Sequence, residues 1–96
     1  MISTQVELIE KETVDSLYFP NTEVLQSFEL IKTRDQQLDK AASLGNLDKF
    51  KVKIIFEDFD GRKMVNTTIW ALTDKNVVLK AGRVIPRNRI HSVLFI

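Results

Sequence analysis

The chain has 96 residues, a net charge of +1, and hydrophobic and charged fractions of 44% and 28%, the profile of one ordinary globular domain. It contains no cysteine, which excludes disulfides, thiol chemistry and the cysteine-based zinc patterns. The start, MISTQVELIEKE, has no basic segment followed by an apolar run, and no stretch approaches the ~18 apolar residues of a bilayer span. The expectation is therefore a cytoplasmic, bacterial-type protein without membrane contact.

The small net charge conceals an asymmetry. Residues 1–60 hold seven Lys/Arg against twelve Asp/Glu, a balance of −5, whereas residues 61–96 hold seven against one, Asp74, a balance of +6. Such a split bears on partners rather than on fold. Either the acidic half covers the basic half, within one chain or between subunits, or the basic half faces an anionic ligand.

Residues 1–21 read as a docked arm or strand. Val6, Leu8 and Ile9 suit either a helix or a strand, and Leu17-Tyr18-Phe19 is extended because the residue before Pro20 avoids the α region. Residues 22–45 form a helical region. Val24, Leu25, Phe28 and Ile31 fall at helical spacing, with Asn21 or Thr22 as N-cap, although Phe28 and Leu30 also alternate as a strand does. Residues 34–44 make the clearer helix, either separate from or continuous with residues 22–32. Thr33 and Gln36 suit a capping box, Asp35 suits the positive end of the dipole, and Gly45 suits a left-handed stop. Its thin stripe of Leu38, Ala41 and Ala42 predicts a helix lying across an open edge or end of the sheet structure.

Residues 49–96 read as five strands. Phe50, Val52, Ile54 and Phe56 share one face of the first, with Lys49, Lys51, Lys53 and Glu57 on the other, and Ile55 interrupts that polar face. Asp58-Phe59-Asp60-Gly61 matches only part of a calcium-loop pattern, lacking the first ligand and the terminal glutamate, and reads as a hairpin turn. Residues 63–73 form a long second strand with Met64, Thr68, Trp70 and Leu72 on one side and Val65, Thr67, Ile69 and Ala71 on the other. Asp74-Lys75-Asn76 turns the chain into residues 77–80, and Ala81-Gly82 reverses it into residues 83–85. Pro86 cannot donate to a ladder, so Pro86-Arg87-Asn88-Arg89 forms one helical turn before the last strand, residues 90–96. Val52, Ile54, Trp70, Leu79 and Val93 or their neighbours are expected inside. Single-domain α+β, mainly β, is the resulting fold class, with a five-stranded barrel preceded by one or two helices.

This pattern resembles the SH3-like small barrels, above all the Sm-like branch and the bacterial Rho-binding antiterminators, over about half the chain. The resemblance rests on residues 52–56 followed by Gly61, Ile69 with Asp74 downstream, Leu79, and Ile85-Pro86 leading to Ile90 and Val93. The signatures TTIWALT, VVLK and IPRNRI are similar to those of short uncharacterised bacterial proteins. ALTDKNVVLKAG with IPRNRI also resembles bacterial pleckstrin-homology-like domains. The Sm-like resemblance implies that residues 71–76 and 80–83 would hold RNA bases, although the basic, glycine-bearing loop that follows in that family is not present here.

Arg62, Lys80, Arg83, Arg87 and Arg89 are the candidates for binding an anionic ligand or a partner, provided they converge; otherwise they form a solvated strand edge that discourages unwanted pairing. His91, the single histidine, lies on a strand with no partner evident in the sequence and reads as a surface or edge residue rather than a general base. Trp70 reads as a core or subunit-interface residue, with an exposed stacking platform as the alternative. No nucleotide loop, nucleophile elbow or paired-carboxylate site occurs. The reading is a non-enzymatic binding or regulatory module without cofactor or metal. It contacts an unknown protein partner or a second copy of itself, and RNA is the alternative partner.

Overall fold

A computed structural model describes residues 6–95. The first five residues of the expected arm, and Ile96 of the expected last strand, lie outside the described residues. The chain runs through β1 (Glu7–Ile9), a 3-10 turn (Lys11–Ser16), α1 (Phe28–Asp48), β2 (Val52–Glu57), β3 (Arg62–Thr67), β4 (Ile69–Leu72), β5 (Asn76–Leu79), β6 (Val84–Pro86), a second 3-10 turn (Arg87–Arg89) and β7 (Ile90–Phe95). Period-2 alternation explains β2, where Val52, Ile54 and Phe56 are fully buried and the residues between them are not. The same rule places Val77 and Leu79 of β5, Ile85 of β6 and Val93 of β7 in one core with Leu38 and Ala41 of α1.

The expected closed barrel does not form. The strands lie in two open sheets, one ordered β1-β3-β2-β7 and the other β4-β5-β6. Closure would require β6 to pair with β7, and it does not. Beside the turn that joins them lies the extended segment before α1, whose Val24 N–H donates to the Asn88 carbonyl at 2.9 Å. One long helix, rather than two shorter ones, packs across β4 and β7, the edge strands of the two sheets. Gln37 Oε1 accepts from the Val93 N–H of β7 at 3.1 Å, so the helix satisfies an edge donor that another strand would otherwise take. β1 adds a parallel strand to β3, pairing Leu8 with Met64.

The ends of α1 also differ from expectation. Ser27, not Thr33, is the N-cap, its hydroxyl accepting from Leu30 N–H at 3.1 Å, and residues 21–27 are non-helical. Gly45 does not stop the helix. It lies inside α1 with the Ile69 carbonyl so close that a Cβ would collide with it. The stop is Lys49, in the left-handed region at φ 56°, whose N–H bonds back to the Gly45 and Leu44 carbonyls.

The long second strand breaks at Thr68, where the chain leaves one sheet for the other. Thr68 is buried, its carbonyl accepts from Lys80 N–H at 2.9 Å, and its hydroxyl reaches the Lys49 carbonyl at 3.4 Å. A register shift between Ile69 and Ala71 follows. Ile69 continues the buried side of Val65 and Thr67 into the core, and Trp70, expected inside, is 46% exposed on the other side.

The reversal between β5 and β6 places two successive residues at positive φ, Ala81 at 70° and Gly82 at 82°. Glycine, which has no Cβ, or asparagine, whose side chain can hydrogen-bond the local backbone, suits the first of these positions better than alanine. Ala81→Asn is expected to stabilise the fold by about 0.5–1 kcal/mol, read as a higher urea midpoint at unchanged slope. An unchanged or lower midpoint would show that the turn is not built this way.

Candidate functional site

The charge asymmetry resolves largely into pairing within the chain. Of eight Lys/Arg–carboxylate ion pairs among the described residues, six join a carboxylate from residues 1–60 to a basic group from residues 61–96. The five candidate residues are distributed accordingly. Arg62 and Arg89 come together on Glu57, with Arg62 Nε 3.9 Å and Arg89 Nη2 3.7 Å from its two oxygens. Arg83 Nε stands 3.3 Å from Asp15 Oδ2, an ion pair without hydrogen-bond alignment. Arg87 Nη2 stands 3.5 Å from Asp35 Oδ1, and its Nη1 donates to the Thr73 carbonyl at 2.9 Å. Lys80 is exposed and makes no ion pair among the described residues.

His91 joins the Glu57 group because β7 bulges. Ser92 opposes Ile55 while Ile90 opposes Phe56, so His91 is the extra residue and its Nε2 meets Glu57 Oε1 at 2.9 Å. Arg89 is buried beside it and acts as a staple. Its Nε donates to the Glu57 carbonyl at 3.0 Å and its Nη1 donates to the Thr22 carbonyl and hydroxyl at 2.8 and 2.9 Å. Arg34, also buried, donates from Nη1 to Glu23 Oε2 at 2.7 Å and to the Ile90 carbonyl at 3.2 Å. These two guanidinium groups hold the extended segment against the sheets from opposite elements, α1 and the turn before β7.

Two further surface features follow from that docking. The first is an open cleft of about 610 Å³ between the extended segment, the start of α1, the turn after β4 and the turn before β7. Glu23, Arg34, Asp35 and Arg87 line it as mutually paired charges, and Asn21, Asn76 and Asn88 line it as amides. The second is an aromatic pair, Tyr18 and Phe59, whose rings meet edge to face with centroids 5.7 Å apart. The Phe59 N–H donates to the Tyr18 carbonyl at 2.8 Å, fixing both backbones, yet the residues are 68% and 70% exposed.

No family model, curated protein or solved structure matches the chain. No helix among the described residues is long and apolar enough to cross a membrane.

The sequence singles out the arginines by charge and places Glu57 on the polar face of the first strand, but it does not show Glu57 as their meeting point, nor the aromatic pair or the three asparagines. Tyr18 and Phe59 are far apart in the chain and each has a bland local explanation, an extended segment and a hairpin turn. The asparagines likewise come from three turns, where that residue is common for backbone reasons. A signal was available for one buried group. Lys63 has the same strand parity as Val65 and Thr67, which predicts a buried lysine in need of a carboxylate.

Proposed function

We propose that this chain is a non-enzymatic, cytoplasmic binding module that contacts protein, with a second copy of itself as partner, through the surface around Tyr18 and Phe59. The cytoplasmic placement carries over from the sequence reading. What supports the contact is the exposed aromatic pair. Single exposed apolar residues are ordinary on any protein surface, but two rings already locked together differ from them. They offer a large apolar area with little conformational entropy left to lose, the property of interface anchors. The arginine pairing supports protein over nucleic acid. A polyanion needs surplus cations to displace its counterions, whereas Arg62, Arg83, Arg87 and Arg89 already face carboxylates.

Sedimentation velocity across a wide concentration range tests the reading. The wild-type chain is expected to self-associate, and Tyr18→Ala with Phe59→Ala to weaken association roughly thirtyfold, the loss of about 2 kcal/mol typical of an anchor. A strict monomer at every concentration overturns self-association, and equal association by the variant overturns the surface assignment. Tight binding of single-stranded RNA that weakens steeply with salt would favour the nucleic-acid alternative instead.

A further inference from the structure

The cleft walled by Asn21, Asn76 and Asn88 carries chemistry that neither the fold nor the aromatic pair uses. Its volume of about 610 Å³ is ample for a bound segment or ligand. Four of its charged groups are already committed: Arg34 to Glu23 and Asp35, and Arg87 to Asp35 and the Thr73 carbonyl. A polyanion would find no unpaired guanidinium there.

The amides are different. The backbone groups around them are occupied, with Asn76 N–H donating to Thr73 Oγ1 at 2.9 Å, Asn76 carbonyl accepting from Thr73 N–H at 2.9 Å, and Asn88 carbonyl accepting from Val24 N–H at 2.9 Å. The side-chain amides of all three asparagines enter no hydrogen bond with another described residue, so each retains both a donor and an acceptor. A peptide group offers the same two functions in complementary order. The cleft is also lined by Asp74 and Lys75, adjacent, opposite in charge, exposed and outside every ion pair among the described residues.

We propose that this cleft binds an extended peptide segment of a partner protein, its main-chain amides paired with Asn21, Asn76 and Asn88. Asp74 and Lys75 favour a segment bearing charges of both signs. The site shares no residue with the aromatic pair, so the proposal goes beyond self-association and names a second, different contact.

The test is an NMR titration of the full ¹⁵N-labelled chain with a pool of end-capped octapeptides of mixed composition. The side-chain NH₂ signals of the three asparagines are expected to move together and saturate. Asn76→Ala with Asn88→Ala is expected to weaken the response roughly fivefold, as for the loss of hydrogen bonds worth about 1 kcal/mol in total. Asn88→Asp, which keeps the shape and loses the donor, is expected to weaken it less than the double alanine variant. Tyr18→Ala with Phe59→Ala is expected to leave it unchanged, so failure of self-association and failure of this site are read separately. Absence of a saturating shift at millimolar peptide overturns the proposal, as does an equal response to free glycine or to a single-stranded hexanucleotide.

Discussion

Replacing Asp58 with alanine is expected to destabilise the protein by about 3–5 kcal/mol, the cost of leaving a buried charge without its partner. Asp58 and Lys63 are 3% and 8% exposed, and Lys63 Nζ donates to Asp58 Oδ1 at 2.8 Å. The same oxygen accepts from Asp60 N–H at 3.0 Å and Gly61 N–H at 3.1 Å, so it organises the hairpin turn as well as neutralising the lysine. Glu7 is the other carboxylate near Lys63, at 3.9 Å and largely exposed, too distant for a hydrogen bond. Against a total stability of about 5–15 kcal/mol for a domain of this kind, the loss places the variant near unfolding. Urea denaturation gives the measurement. Lys63→Met added to Asp58→Ala should recover part of the loss, because an apolar side chain of similar length leaves no uncompensated charge. If the double variant is no more stable than Asp58→Ala alone, the destabilisation lies in the turn and not in the ion pair.

Gly45→Ala is the second large effect, and its sign opposes helix propensity. Inside an exposed helix the change would stabilise by about 0.8–1 kcal/mol. Here the new Cβ meets the Ile69 carbonyl oxygen, with Thr68 Cγ2 at 3.1 Å and the Ile69 carbonyl carbon at 3.3 Å. The nearest atom is backbone at the start of β4, not the mobile end of a side chain, so relief requires α1 to move away from the seam it fills. A destabilisation of about 1–3 kcal/mol is expected, as for other overpacked sites. A variant as stable as wild type would mean that α1 does not approach β4 this closely.

The strands were legible because pleat alternation is a local property. Val52, Ile54 and Phe56 announce a buried face whatever they pack against, and Pro86 announces a corner because it lacks an N–H. The helix boundaries were not legible. Asn21, Thr22, Ser27 and Thr33 are all acceptable caps in isolation, and docking of residues 21–27 by Arg34 and Arg89 decides among them. Gly45 was misread for a related reason. A glycine near a helix end has a sound local explanation as a stop, and only the position of Ile69 shows that its missing Cβ makes room for a neighbour. Trp70 faces outward because Val65, Thr67 and Ile69 take the buried side and alternation leaves Trp70 on the other; with apolar residues on both sides of residues 63–73, nothing local marks which side is buried.

Of the candidate site, the sequence showed the charges and the tertiary structure showed what they meet. An excess of acid before residue 61 and of base after it was plain from composition, but Glu57 gathers Arg62, Arg89 and His91 only because β2, β3 and a bulged β7 lie side by side. Residue order alone was enough for the mixed α+β character and the course of β2, β5, β6 and β7, since each follows from hydrophobic period and turn chemistry within a few residues, but not for the break that divides residues 63–73 between β3 and β4. Whether the sheet closes depended on which edge donors and acceptors meet across the molecule. There α1, Gln37 and the segment before the helix occupy the seam, and the two sheets stay open.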